Sequence, residues 1–309
     1  MKKHGEVPYS DFAVFFCCKI IENFKRKVYP MNRILDENQI EEFAKYLKSE
    51  EKSRNTIDKY VRDARAFAEY ANGREITKDV VVAYKHNLQR KYAVGSVNSM
   101  LAALNSLLAF SDRRDLKIKS VKFQRRIFCS EKKELTRAEY MRLCRAAEEK
   151  NNLRLSLILQ TITATGIRIS ELKYITVEAA KRGEATVNCK GKTRTVIIVK
   201  KLRRKLLDYA KYRGIVGGMI FITKSGKPID RTNIWREMKN LCEKAEVNPE
   251  KVFPHNLRHL FARTFYGIDK DIAKLADILG HSSINTTRIY IISTGAEHRR
   301  LMENMRLVI

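Results

Sequence analysis

Several side chains suited to handling a phosphate diester recur in the second half of this chain, each next to a residue that would hold it still. Arg168 follows Gly166 in Thr165-Gly166-Ile167-Arg168-Ile169-Ser170-Glu171-Leu172, and His255 and Arg258 lie three apart in Pro254-His255-Asn256-Leu257-Arg258-His259. His281 follows Gly280 in Leu279-Gly280-His281-Ser282-Ser283, Tyr290 closes Thr286-Thr287-Arg288-Ile289-Tyr290, and Lys190 and Lys192 flank Gly191 between β-branched runs. A guanidinium stays charged and offers several fixed donors to phosphate oxygens. An imidazole or an ammonium can move a proton, and a phenol, with an ordinary pKa of about 10, attacks near neutral pH only with a base or a positive field beside it. Each stretch also has a plainer reading. Arg168 could be a salt-bridge partner of Glu171, His255 and Arg258 could bind an acidic neighbour, His281 could fill a turn, and Tyr290 could be core packing. Carboxylates do not cluster at metal-ligand spacing, so no metal, and no cofactor of any kind, is expected to take part.

The bulk composition narrows the partner. Lys and Arg number 62 against 35 Asp and Glu, a net charge of +27 over 309 residues. An excess of that size favours a polyanion, and double-stranded nucleic acid before an acidic membrane. The longest apolar run, Phe12 to Cys18, is far short of the roughly 20 residues that span a bilayer and is broken by Lys19 with no small-residue cleavage site, so export is not expected. Six cysteines form no CxxC pair and no ligand spacing with the histidines, as in a reduced cytoplasmic protein.

These residues need elements to position them. The first thirty residues show no clear period; they are an N-terminal extension or a basic arm carrying Lys25, Arg26 and Lys27, with Met31 an alternative start. Four amphipathic helical patterns follow between Asp36 and Phe110. Their expected caps are Asp36 with Gln39, then Ser53, Thr77 and Ser96. The period fades over 117–133, where Lys119, Lys122, Arg125 and Arg126 stand among interleaved aromatics; this basic linker either follows a phosphate backbone or is merely solvated. From Thr136, in capping-box register with Glu139, a second domain begins. An apolar helix at 153–165 ends at Gly166, a short one spans 169–174, and 185–199 reads as a hairpin turning on its lysines. Helical patterns then resume at 201–212, 232–244, 254–266, 270–279 and 284–290.

In combination, the motifs resemble those of the tyrosine recombinases, or phage integrases. The family pattern is an arginine in TGxRxSEL, a lysine on a β-hairpin, an HxxRH helix, an LGH turn and a tyrosine nine residues later. This chain has TGIRISEL, HNLRH at 255–259, LGHSS at 279–283 and Tyr290 nine residues after His281. The resemblance covers roughly residue 135 to the C-terminus and is similar, at 36–110, to the family's core-binding domain. It implies a mainly α fold with a small β-sheet: a helical SAM-like core-binding domain over 31–116, the linker at 117–133, and an α+β catalytic domain with a C-terminal tail over 134–309. It further implies site-specific strand exchange through a 3′-phosphotyrosyl link at Tyr290 and a Holliday junction, without ATP. Arg168 and Arg258 would hold the phosphate, Lys190 would serve as general acid with Lys192 the alternative, His255 would assist proton transfer and His281 would bond the phosphate. Glu171 and His259 match supporting positions. DNA contacts would come from Lys119, Lys122, Arg125, Arg126 and Lys192, and the protein would be a monomer alone and a homo-tetramer on synapsed DNA. The tail beyond Ile291 would pack on a neighbouring protomer or on its own domain. Two other readings remain open, a catalytically silent DNA-binding regulator and a type IB topoisomerase; the complete residue set counts against the first.

Overall fold

The computed structural model describes residues 34–122, 134–189, 192–223, 225–290 and 302–305. The chain divides into two compact units, Met1–Arg125 and Arg126–Ile309. The first contains α1 (Glu37–Ser49), α2 (Arg54–Ala71), α3 (Lys78–Lys91), α4 (Val94–Phe110) and a 3₁₀ turn, Arg114–Leu116. Asp36 and Gln39 form the expected reciprocal capping box on α1, and the Thr77 hydroxyl accepts from Val80 N on α3. Two expected caps differ. The Ser53 hydroxyl contacts Thr56 Oγ1 at 2.8 Å instead of a backbone amide, and α4 starts ahead of Ser96, after an extended Ala93, so that Ser96 falls in its first turn. The four apolar stripes meet in one core around Phe43, Phe67, Leu101 and Leu107, all buried, with Phe67 and Tyr84 edge-on at 5.0 Å.

The stretch 117–122, expected as the start of the linker, packs as part of this unit. Asn105 donates to Ile118 O (2.9 Å) and accepts from Ile118 N (3.0 Å), while Asn98 does the same with Val121 (3.0 and 2.7 Å). A primary amide carries a donor and an acceptor side by side, so each asparagine replaces a neighbouring strand for an otherwise unpaired backbone. Lys85 Nζ adds a bond to Lys119 O at 2.8 Å. The Lys119 and Lys122 side chains are exposed. Arg125 and Arg126 lie outside the described residues.

The second unit contains α5 (Arg137–Glu149), α6 (Leu153–Thr165), a 3₁₀ helix (Ile169–Tyr174), α7 (Val177–Arg182), β1 (Glu184–Cys189), β2 (Lys192–Ile197) and α8 (Lys200–Tyr212). It continues with α9 (Arg231–Lys239), a 3₁₀ turn (Pro249–Lys251), α10 (Pro254–Ile268), α11 (Ile272–Leu279) and α12 (Ile284–Arg288). Only α7 and this last 3₁₀ turn were absent from the expected pattern. Helix α6 is apolar nearly all round, with Leu155, Leu157, Ile158, Leu159 and Ile162 buried, and it runs through the core as such a helix must. The strands pair antiparallel from Glu184↔Ile197 to Cys189↔Lys192. Among the described residues no helix is long and apolar enough to cross a membrane.

Candidate active site

Gly166 shows how the core sets the first functional residue. It ends α6 at φ +64°, and a Cβ there would stand 2.5 Å from the Phe261 ring and 2.9 Å from Leu279, so only glycine lets α10 and α11 close over this turn. Two residues on, Arg168 is extended and starts the 3₁₀ helix. Its backbone N donates to Glu171 Oε2 at 2.8 Å and its Nη1 to Glu171 Oε1 at 2.9 Å. The salt-bridge reading of Arg168 is therefore true as far as it goes, yet 37% of the side chain remains exposed while the Glu171 side chain is 2% exposed.

Arg258 is the opposite case, 1% exposed. Its guanidinium donates to Gly166 O and, at 2.7 Å, to Leu279 O, joining carbonyls at the C-terminal ends of α6 and α11 that no later helical turn satisfies. Nη2 also meets His281 Nε2 at 3.0 Å, and His281 Nδ1 meets Thr287 Oγ1 at 2.9 Å. Because a guanidinium only donates, Nε2 of His281 must accept and the ring proton resides on Nδ1, donating to Thr287. Both ring nitrogens are thus engaged. His281, expected to bond a phosphate, has its two ring nitrogens on Arg258 and Thr287 and so links α12 to the LGH turn.

Tyr290, 5% exposed, follows α12 and packs its ring against His259 (centroids 4.3 Å apart), with His281 and His255 each at 5.3 Å and the Arg258 guanidinium 5.9 Å from the ring centre. Its hydroxyl lies 3.3 Å from His255 Nε2. The packing reading of this tyrosine holds for its ring, which is buried, while its hydroxyl faces the His255 imidazole. Desolvation first, then the Arg258 and Arg168 charges, holds the His255 imidazole below its ordinary pKa, which keeps it neutral and able to accept a proton at pH 7. Burial, followed by neighbouring positive charge, lowers His259 and His281 to about 4 each. Burial, with Arg168 the next cause, brings Arg258 down to about 10, still cationic at neutral pH.

Arg168, His255 and Arg258 line one cleft of about 370 Å³, together with Ser170, Arg231 and Trp235. The structure thus brings Arg168, His255, Arg258, His281 and Tyr290 together within one unit. Lys190 lies outside the described residues. Lys192 opens β2 opposite Cys189. Sequence reasoning missed Arg194, whose Nη2 is 2.6 Å from Glu171 Oε2. A signal was present: in β2 and just past it, Val196 and Ile198 are buried while Thr193, Thr195 and Ile197 are exposed, so strand alternation puts Arg194 on the inward face, where a charge needs a partner. Thr287, Arg231 and Trp235 carried no comparable signal.

Residues 133–297 match the model of the phage integrase family, and residues 40–115 that of the phage integrase N-terminal SAM-like domain. The chain belongs to the phage integrase family. Among relatives of this tyrosine recombinase, the XerA recombinase of Pyrococcus horikoshii is 30% identical over 285 residues, covering 89% of this chain and 96% of the relative. The XerC recombinase of Roseiflexus castenholzii is 29% identical, covering 82% and 88%. The fold of this chain is similar to that of a lambda integrase solved as a tetramer on a Holliday junction (TM-score 0.68, 17% identity, 94% of this chain and 89% of that one). The Tn1549 transposon integrase solved with transposon right-end DNA is similar in the same way (TM-score 0.66, 16% identity, 87% and 99%).

Proposed function

We propose that this tyrosine recombinase performs site-specific DNA strand exchange with Tyr290 as the nucleophile. The observation that carries the reading is the Tyr290 hydroxyl 3.3 Å from a neutral His255, with Arg258 against the same ring. His255 Nε2 accepts the phenol proton as the oxygen attacks phosphorus. Arg168 and Arg258 neutralise the charge that builds on the non-bridging oxygens, the largest electrostatic contribution such a site can make. The products are a 3′-phosphotyrosyl link and a 5′-hydroxyl that takes its proton from Lys190, or from Lys192 if the hairpin turn places that lysine nearer. The bond energy is kept in the phosphotyrosine, so rejoining to a 5′-hydroxyl of a second duplex needs no ATP or metal; two such rounds pass through a Holliday junction. His281 keeps Arg258 in place. Lys119, Lys122, Arg125, Arg126 and Lys192 add non-specific grip on the phosphate backbone of the duplex. The protein is a monomer alone and acts as a homo-tetramer on paired sites.

The test uses a pool of nicked duplexes with a randomised core, which trap the covalent intermediate because the short 5′-hydroxyl strand diffuses away. Wild-type protein is expected to form an adduct that survives detergent and to select one sequence, while Tyr290→Phe binds that sequence without forming the adduct. Tight, selective binding with no adduct would instead make the chain a silent DNA-binding regulator.

A further inference from the structure

The hairpin makes one contact with the arginine–histidine centre that the reaction scheme above does not use. The Arg194 side chain, 12% exposed, crosses from β2 to two separate turns. Its Nη2 meets Glu171 Oε2 at 2.6 Å, and Glu171 in turn holds both the backbone and the guanidinium of Arg168. Its stem lies across Gly280: a Cβ there would stand 2.4 Å from Arg194 Cδ and 2.7 Å from Nε, so the LGH turn accepts the stem only because it has no side chain at that point. We propose that Arg194 is a positioning residue that fixes the Arg168 turn and the His281 turn relative to the hairpin. This rests on the proposed reaction at the same site.

The physical case is a matter of charge and of reach. The carboxylate of Glu171 is almost fully buried and must be paired. With two guanidiniums on it, its charge is shared, so Arg168 is anchored through one nitrogen and keeps its remaining donors for a phosphate. Without Arg194, Glu171 would draw Arg168 more fully onto itself, and the His281 turn would lose the stem that supports it. The strand that carries Arg194 also leads directly to the lysine turn, so one side chain sets the hairpin, the anion-binding arginine and the arginine-orienting histidine in a common register.

The experiment compares Arg194→Gln, Arg194→Lys, Glu171→Gln and the double variant Arg194→Gln with Glu171→Gln, each with its melting temperature as a control. In single-turnover adduct formation on the duplex recovered from the pool, Arg194→Gln is expected to slow the reaction about 100-fold, the scale of a misplacement near 1 Å, with the Kd for DNA changed less than about threefold. Arg194→Lys, which keeps the charge and the stem, should recover to within about tenfold of wild type. The double variant should be no slower than the worse single one, because both act through the same link. In the free protein, amide hydrogen exchange should rise in Arg194→Gln at residues 168–172 and at 280–283, with the α-helices unchanged. Independent, multiplying losses in the double variant would overturn the proposal, and so would unchanged exchange at both turns. If Arg194→Gln fails to fold, Glu171→Gln decides by the same measurement: raised exchange at residues 168–172 is expected, and unchanged exchange there would overturn the proposal. If wild-type protein forms no adduct, the reaction assigned to the site falls while the exchange data still judge Arg194.

Discussion

The two arginines expected to serve one phosphate are built in opposite ways. Arg258 is buried and makes its bonds to two helix-end carbonyls and His281, so it belongs to the framework of the fold. Arg168 leaves more than a third of its side chain open and is held from behind by Glu171. One is a fixed wall and the other a partly open side chain whose orientation is set by its support. Two residues of one type can thus sit in the same unit with very different exposure and very different attachment to the fold.

The largest expected effect comes from removing the wall. Arg258→Ala leaves two carbonyls and a histidine without their donor, and should destabilise the second unit by about 3 kcal/mol or more while abolishing adduct formation; denaturant melts of the full chain measure the first and gel assays the second. Arg168→Ala should reverse the balance, slowing adduct formation about 100- to 1,000-fold while costing about 1 kcal/mol of stability. Equal stability losses in the two variants would erase the contrast. Lys190 tests the proposed general acid. Lys190→Ala should lower the cleavage rate about 100-fold on an ordinary duplex, and a duplex with sulfur at the 5′-bridging position should restore most of it, because a thiolate leaves without a proton. Rescue of Lys192→Ala instead would move the general acid to that residue.

Smaller effects should follow pH. His259 and His281 have folded pKa values of about 4 against an ordinary 6.5. The unfolded chain therefore binds more protons between those values, so their contribution is complete above about pH 6.5 and is lost as pH falls toward 4. The melting temperature should drop across that window, and His281→Gln should flatten the drop. The proton-accepting role of His255 should persist somewhat below pH 6.5, since its pKa is lowered too. Smallest of all, Asn98→Ala or Asn105→Ala should cost the first unit about 1 to 2 kcal/mol each, without slowing cleavage of a bound duplex.

Much of the fold follows from local chemistry that a reader of the chain can apply. Asp36 with Gln39, Thr136 with Glu139, and the helix stop at Gly166 all depend on neighbours within three or four residues, and all are where the pattern placed them. What escaped depends on distant partners. The docking of 117–122 is set by Asn98 and Asn105, whose amides give no sign in sequence of which backbone they will meet. The contacts of His281 with Thr287 and Arg258 likewise join residues that no motif pairs. Arg194 was legible in principle from strand alternation, but its attachment to Glu171 joins residues 23 positions apart.

Tyr290 makes its contacts with His255, Arg258 and His281 of its own chain. A damaged copy therefore has little to borrow from its neighbours. Under the proposed reaction, subunits lacking the phenol and subunits lacking a guanidinium, mixed together, should fail to complement one another.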